Sequence, residues 1–107
     1  MAMVASAVAN DGKLQKPILV SRVEDPKGAT IWENKREVLK ESLTPEIAEQ
    51  VKDLMVAVVR EGNGDNASLR NYQVAGKTGT AENASGKAHA LFIGFAPADD
   101  PELAVAV

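Results

Sequence analysis

Met1, Val4 and Val8 recur at helical spacing with alanines between them, so residues 1–9 are read as a packed core helix. Asn10-Asp11-Gly12 ends it, with Gly12 as a left-handed cap, and Pro17 forces an extended exit. Ile18-Leu19-Val20 and Val23 then read as a strand. Asp25-Pro26-Lys27-Gly28 has turn chemistry, and Ala29 to Trp32 reads as the return strand, so residues 18–33 are expected to form a hairpin. Residues 34–43 are highly charged and are expected to be irregular.

Thr44-Pro45-Glu46 is a helix start: Thr caps, Pro fits the first turn, and Glu complements the dipole. Ile47, Val51, Leu54, Met55 and Val58 mark one apolar stripe, and Gly62 and Gly64 stop the helix near Arg60-Glu61. Residues 62–71 read as loop, with room for one short helical turn. Beyond them the rhythm changes. Tyr72 to Ala81 is extended, Asn83 to Lys87 holds a turn at Gly86, and Ala90 to Phe95 is a buried strand. Pro97 to Pro101 turns the chain again into a strand from Leu103 to Val107. Three strands on short turns predict an antiparallel meander. The fold class is therefore α/β in the broad sense (α+β), an antiparallel sheet with flanking helices.

Composition narrows the functional classes. The chain has 107 residues, enough for one small domain or a piece of a larger one. It has no Cys, so neither disulfides nor thiolate metal sites are available. Net charge is −3, and the longest basic feature is Lys35-Arg36, which argues against a nucleic-acid partner. The apolar share of 45% marks a globular chain. Residues 1–9 are too short to span a bilayer and lack the basic leader of a signal peptide. They begin without a cap, and the last strand runs off the end with an uncovered edge. Both features lead us to expect residues 1–107 to be a portion of a larger domain, cut at both ends.

The candidate chemistry lies at Lys77-Thr78-Gly79-Thr80. A phosphate loop would need Gly where Asn71 stands, and Tyr72-Gln73-Val74-Ala75 is not a stretch that wraps phosphate. No long helix follows Thr78 either. The plainest reading is a strand with a solvated Lys and Thr face. The flanks change that weighting. Val74-Ala75-Gly76-Lys77-Thr78-Gly79-Thr80-Ala81-Glu82 resembles the third active-site motif of the penicillin-binding proteins. Met55 to Gly64 resembles the helix and glycine loop preceding that motif, and His89 to Pro97 resembles the neighbouring strand. Ala7 to Gly12 with Pro17 resembles the helix and exit segment further upstream. The resemblance covers essentially the whole chain, and the flanks look most like the monofunctional class B transpeptidases.

What the resemblance implies is specific. The fold is expected to be the C-terminal part of a penicillin-binding protein/β-lactamase-like transpeptidase domain. Acyl transfer needs a nucleophile, a base, an oxyanion hole and an anchor for the substrate carboxylate. By resemblance, Lys77 supplies positive potential to the catalytic serines. Thr78 and Thr80 hydroxyls bind the carboxylate of substrate or of a β-lactam. The Thr80 backbone N–H is one oxyanion-hole donor, and Gly79 keeps the strand clear for ligand. Gly76 serves close packing. The implied partners are peptidoglycan stem peptides and β-lactams. No cofactor or metal is implied. The implied location is the outer face of a bacterial cell membrane.

The other family motifs, Ser-x-x-Lys and Ser-x-Asn, do not occur. Ser6, Ser21, Ser42, Ser68 and Ser85 are followed three places later by Ala9, Glu24, Pro45, Asn71 and Ala88. Two places later stand Val8, Val23, Thr44, Arg70 and Lys87. The nucleophile and its base are therefore not among these residues, and the chain alone is expected to form no acyl-enzyme. Two other readings stay open: a fragment of a D,D-carboxypeptidase or β-lactamase, and a non-catalytic module that self-associates through its open sheet edge. His89 is the one histidine and is placed at a strand end near the motif. Glu82 is read as a strand-end surface residue. Trp32 is expected to pack.

Overall fold

A computed structural model describes residues 1–84 and 86–107. The fold is a mixed one of helices and antiparallel sheets, in the order α1 (Ala2–Ala9), β1 (Lys13–Gln15), β2 (Arg22–Glu24), β3 (Thr30–Glu33), β4 (Val38–Glu41), α2 (Pro45–Glu61), β5 (Ala75–Ala81), β6 (His89–Ala96) and β7 (Leu103–Ala106). A single 3₁₀ turn, Asp65–Ala67, follows α2. Ser85, within the expected turn at Gly86, lies outside the described residues. On either side of it Gly86 adopts φ +79° and Asn83 Nδ2 donates to Lys87 O at 2.6 Å.

The central sheet is the expected meander, ordered β5-β6-β7 and antiparallel throughout. Its register pairs Ala75 with Phe95, Lys77 with Ile93, Thr78 with Phe92 and Ala81 with His89. Side chains alternate across a strand. Ala75, Ile93, Phe95 and Ala104 therefore share one face, and they pack with Ala5 and Val8 of α1 and Met55 of α2. Phe95 is the one large side chain that is almost wholly enclosed among the described residues.

The opposite face of β5 and β6 is built around glycine. Phe92 lies over Gly76 and Gly94, and a Cβ on Gly76 would sit 2.3 Å from Phe92 Cζ and 3.2 Å from Val59 Cγ2. Close packing is thus the role of Gly76, as its sequence context suggested. The helix α2 joins both faces, with Met55 in the Phe95 cluster and Val59 beside Gly76 one turn later.

The start of α2 matches its signals. Thr44 Oγ1 accepts from Ile47 N–H, and Pro45 occupies the first turn. At the end of α1 the left-handed turn is shared: Asp11 (φ +51°) enters it first and Gly12 (φ +81°) follows, donating its N–H to Ala7 O, and a Cβ on Gly12 would meet Leu43 O at 2.2 Å. Within α1, Ala5, Ala7 and Val8 are buried, whereas Met1, Met3 and Val4 remain exposed.

Two expectations require correction. Residues 34–43 are not irregular: Val38–Glu41 is a strand that pairs antiparallel with Lys13–Gln15. Gly12 O accepts from Ser42 N–H and Leu43 N–H, and Lys16 Nζ lies 3.0 Å from Glu37 Oε2. Ladder bonds to a distant partner hold this strand, and its charged side chains stand in water. Conversely, Ile18-Leu19-Val20 is not strand. The hairpin is shorter than expected and begins at Arg22, where Arg22 opposes Glu33 and Val23 opposes Trp32. Its turn follows the sequence, since Asp25 Oδ1 accepts from the N–H groups of Lys27 and Ala29, both at 2.8 Å. Both hairpin strands are exposed, and Trp32, opposite Val23 in the register, is about half exposed and lies outside the core cluster.

Candidate functional site

The Lys77–Thr80 stretch lies within β5, and β5 is an edge of its sheet. The direction of its backbone groups follows from the register. Phe92 donates its N–H to Val107 O at 2.9 Å and accepts from Val107 N–H at 2.8 Å. In an antiparallel pair both backbone groups of one residue point the same way. The groups of Phe92 therefore face Val107, and the Thr78–Phe92 pair opposite is of the non-hydrogen-bonded kind. The N–H and C=O of Thr78 point off the sheet edge, away from β6. The pattern repeats every second residue, so the Thr80 N–H points off the same edge. That is the orientation an oxyanion donor requires.

The side chains divide between two faces. Lys77 shares the face of Ile93 and lines a groove of about 630 Å³ with Val4, Val8, Leu54 and Met55. Only Lys77 and Glu61 bring charge to that lining, and Glu61 is paired with Arg60. Among the described residues Lys77 makes no ion pair. Its Nζ turns back to donate to Thr78 O at 2.6 Å, which itself places that carbonyl on the open edge. The ammonium thus stands at the rim of an apolar groove with one backbone acceptor, able to serve an incoming anion or hydroxyl.

Thr78 and Thr80 occupy the other face. Thr80 is exposed, whereas Thr78 is half-buried and donates from Oγ1 to Asn63 Oδ1 at 2.9 Å. Asn63 belongs to the loop after α2, where Gly62 N–H and Gly64 N–H both bond to Val58 O, at 3.2 and 3.0 Å. The two glycines stand out in the sequence as a helix stop, whereas the asparagine between them does not. The one available signal was a short polar residue pinned between two glycines at a helix end.

Gly79 differs from Gly76. A Cβ at Gly79 would meet only Leu91, at 3.5 Å from its Cβ, an ordinary contact. The fold itself does not demand glycine there. His89 stands exposed at the start of β6 opposite Ala81, at the strand end where it was expected. Glu82 is exposed just beyond β5. No group of three or more potential metal-ligating side chains occurs among the described residues. No helix among them is long and apolar enough to cross a membrane.

This strand-and-helix arrangement has counterparts. A family model described as the penicillin binding protein transpeptidase domain matches residues 1–107. Peptidoglycan D,D-transpeptidase PbpA of Mycolicibacterium smegmatis is 39% identical over 110 residues, which cover 99% of this chain and 22% of that protein. Stage V sporulation protein D of Bacillus subtilis is 37% identical over 109 residues, covering 95% of this chain and 17% of that one. The chain thus spans about a fifth of the length of the curated relatives it matches. Among solved structures, the D,D-transpeptidase domain of a peptidoglycan glycosyltransferase from Eggerthella lenta superposes with a TM-score of 0.92 at 39% identity, over 98% of this chain and 25% of that one. The imipenem acyl-enzyme complex of penicillin-binding protein A from M. tuberculosis gives 0.91 at 35% identity, over 99% and 24%. Full-length agreement of model, sequence and shape identifies this chain as a member of the penicillin-binding protein transpeptidase domain family.

Proposed function

We propose that residues 1–107 are one portion of a single peptidoglycan D,D-transpeptidase domain and supply one wall of its active site. The observation that carries this reading is the arrangement of β5. Its edge directs the Thr80 N–H outward, while Lys77 stands at the rim of an apolar groove. The relatives named as peptidoglycan D,D-transpeptidases and the neighbour trapped as an acyl-enzyme support it.

In this reading a serine from the rest of the domain attacks the carbonyl of the penultimate D-alanine of a stem peptide. The bond to the terminal D-alanine breaks, and the acyl group passes from serine to the amine of a second peptide. A β-lactam would acylate the same serine. Lys77 contributes positive potential at the nucleophile. The Thr80 N–H donates to the oxygen that becomes negative in the tetrahedral intermediate. The Thr80 hydroxyl, exposed on the strand, binds the carboxylate of substrate or β-lactam. Thr78 lends its backbone to the open edge, and its hydroxyl proton is already directed to Asn63. Gly79 leaves the strand surface clear. No cofactor enters these steps. The site would act at the outer face of the cell membrane.

The test is covalent labelling of the full-length protein by a fluorescent penicillin. A label that survives denaturation is expected on the full-length protein and not on residues 1–107 alone. An unlabelled full-length protein would sink the proposal. A carboxypeptidase or β-lactamase would also take the label but would release its acyl group to water, so product analysis with a donor amine separates them. The outer edge of β7 offers a different role, self-association through strand addition. Light scattering that shows a dimer of residues 1–107 would favour it.

A further inference from the structure

We infer that Asn63 is a positioning residue for the active-site strand, acting through the hydroxyl of Thr78; this rests on the transpeptidase reading above. Three observations lead to it. The first is the 2.9 Å bond from Thr78 Oγ1 to Asn63 Oδ1, which joins positions 15 residues apart. The second is how firmly Asn63 is held. Its two glycine neighbours both donate to Val58 O, and a Cβ on Gly62 or Gly64 would approach that oxygen to 2.8 or 3.1 Å. The loop therefore has little freedom to carry Asn63 elsewhere.

The third is what Thr78 carries. Its own N–H and C=O point off the sheet edge, and the Thr80 N–H follows two residues later on the same edge. Among the described residues β5 has a partner strand on one side only. An edge strand leaves one row of N–H and C=O groups without a ladder, and a side-chain tie adds a restraint on that side. Asn63 supplies such a tie, from the end of α2 to the middle of the motif. Asn63 touches no reacting atom in this arrangement. Its effect is to hold the Thr78 and Thr80 backbone groups where ligand and oxyanion meet them, and small displacements of such groups are costly to rate.

The experiment uses the full-length protein with Asn63→Ala, Asn63→Asp, Thr78→Val and the Asn63→Ala/Thr78→Val pair. Two readouts are followed: the second-order rate of acylation by a fluorescent penicillin, and amide hydrogen exchange across β5. Asn63→Ala is expected to slow acylation about tenfold and to speed β5 exchange about tenfold, with the melting temperature lowered by no more than a few degrees. Asn63→Asp keeps the acceptor oxygen and is expected to stay within about threefold of wild type on both readouts. In the Thr78→Val background, Asn63→Ala is expected to add nothing further. The inference is overturned if Asn63→Ala matches wild type on both readouts, if Asn63→Asp is as impaired as Asn63→Ala, or if the loss persists undiminished beside Thr78→Val. If the wild-type protein takes no label, the transpeptidase reading fails, and hydrogen exchange alone decides the role of Asn63.

Discussion

Gly76 and Phe92 fit together so closely that a methyl group on the glycine would lie 2.3 Å from the ring's Cζ and 2.7 Å from its Cε2. Gly76→Ala should therefore destabilise the domain by about 1–3 kcal/mol through overpacking. The clash is with a side chain, so trimming the ring relieves it. Gly76→Ala/Phe92→Leu should be more stable than additivity of the two single changes predicts, as read by denaturant unfolding. Additive losses would mean that the ring is not what excludes the methyl.

Gly94 makes the contrasting case. A Cβ there would meet the backbone carbonyl of Ala75 at 2.7 Å as well as Phe92 Cε1 at 2.9 Å. The carbonyl is held in the β5-β6 ladder and cannot swing aside. Gly94→Ala should cost at least as much as Gly76→Ala, about 1–3 kcal/mol or more, and Phe92→Leu should rescue it far less. Equal rescue at both positions would contradict the packing described for this face.

Gly79 is a position where folding and function can be tested separately. The chain leaves ordinary van der Waals room for a methyl group at this position. Gly79→Ala should change stability by no more than about 0.5 kcal/mol. If ligand lies along the strand, the same change should slow penicillin acylation by about tenfold or more, since the methyl would stand in its path. A variant with normal acylation would remove Gly79 from the binding surface.

Lys77 should show the same division more strongly. It is exposed, forms no ion pair among the described residues, and bonds only to a neighbouring carbonyl. Lys77→Ala should leave the melting temperature within a few degrees of wild type and reduce acylation by about 10²–10³-fold, the scale of losing one electrostatic element of an acyl-transfer site. A loss of stability matching the loss of rate would point to a structural lysine.

Glu46 carries a weak pH dependence. Its carboxyl is held below the usual carboxylate range, first by a hydrogen bond from its own backbone N–H and then by the Thr44 side chain. A carboxylate with a depressed folded pKa stabilises above its unfolded pKa, and that contribution is lost as pH falls through the folded value. The melting temperature of Glu46→Gln should thus equal that of wild type in strong acid and fall slightly below it near neutrality. The side chain is fully exposed, so the difference should be small.

Much of this architecture was legible in the order of residues. Thr44-Pro45 and the apolar stripe behind it place α2, and Asp25 to Gly28 place a turn, because these signals act over a few neighbouring positions. The meander follows from apolar runs separated by turn residues. The pairing of β1 with β4 was hidden for the opposite reason. Lys13–Gln15 is too short to show alternation, and Val38–Glu41 mixes apolar with charged residues, so only the distant ladder identifies either as strand. Ile18-Leu19-Val20 has the apolar run of a strand but none of its pairing, and Leu19 is fully exposed. At the site, Lys77, Thr78, Gly79 and Thr80 could be singled out from their flanks. The division of their side chains between two faces and the bond from Thr78 to Asn63 could not. Both depend on strand register and on the loop that brings Asn63, 15 residues before Thr78 in sequence, to β5.

The carbonyl of Val58, which receives two amides from the loop beyond it, gives α2 the character of a ruler. It fixes how far the helix runs and at what azimuth the chain departs. One extra residue before Val58 would advance that endpoint by about 1.5 Å and rotate it by about 100°. Asn63 would then face away from Thr78. The length of α2 thereby sets where the Asn63–Thr78 bond can form along β5.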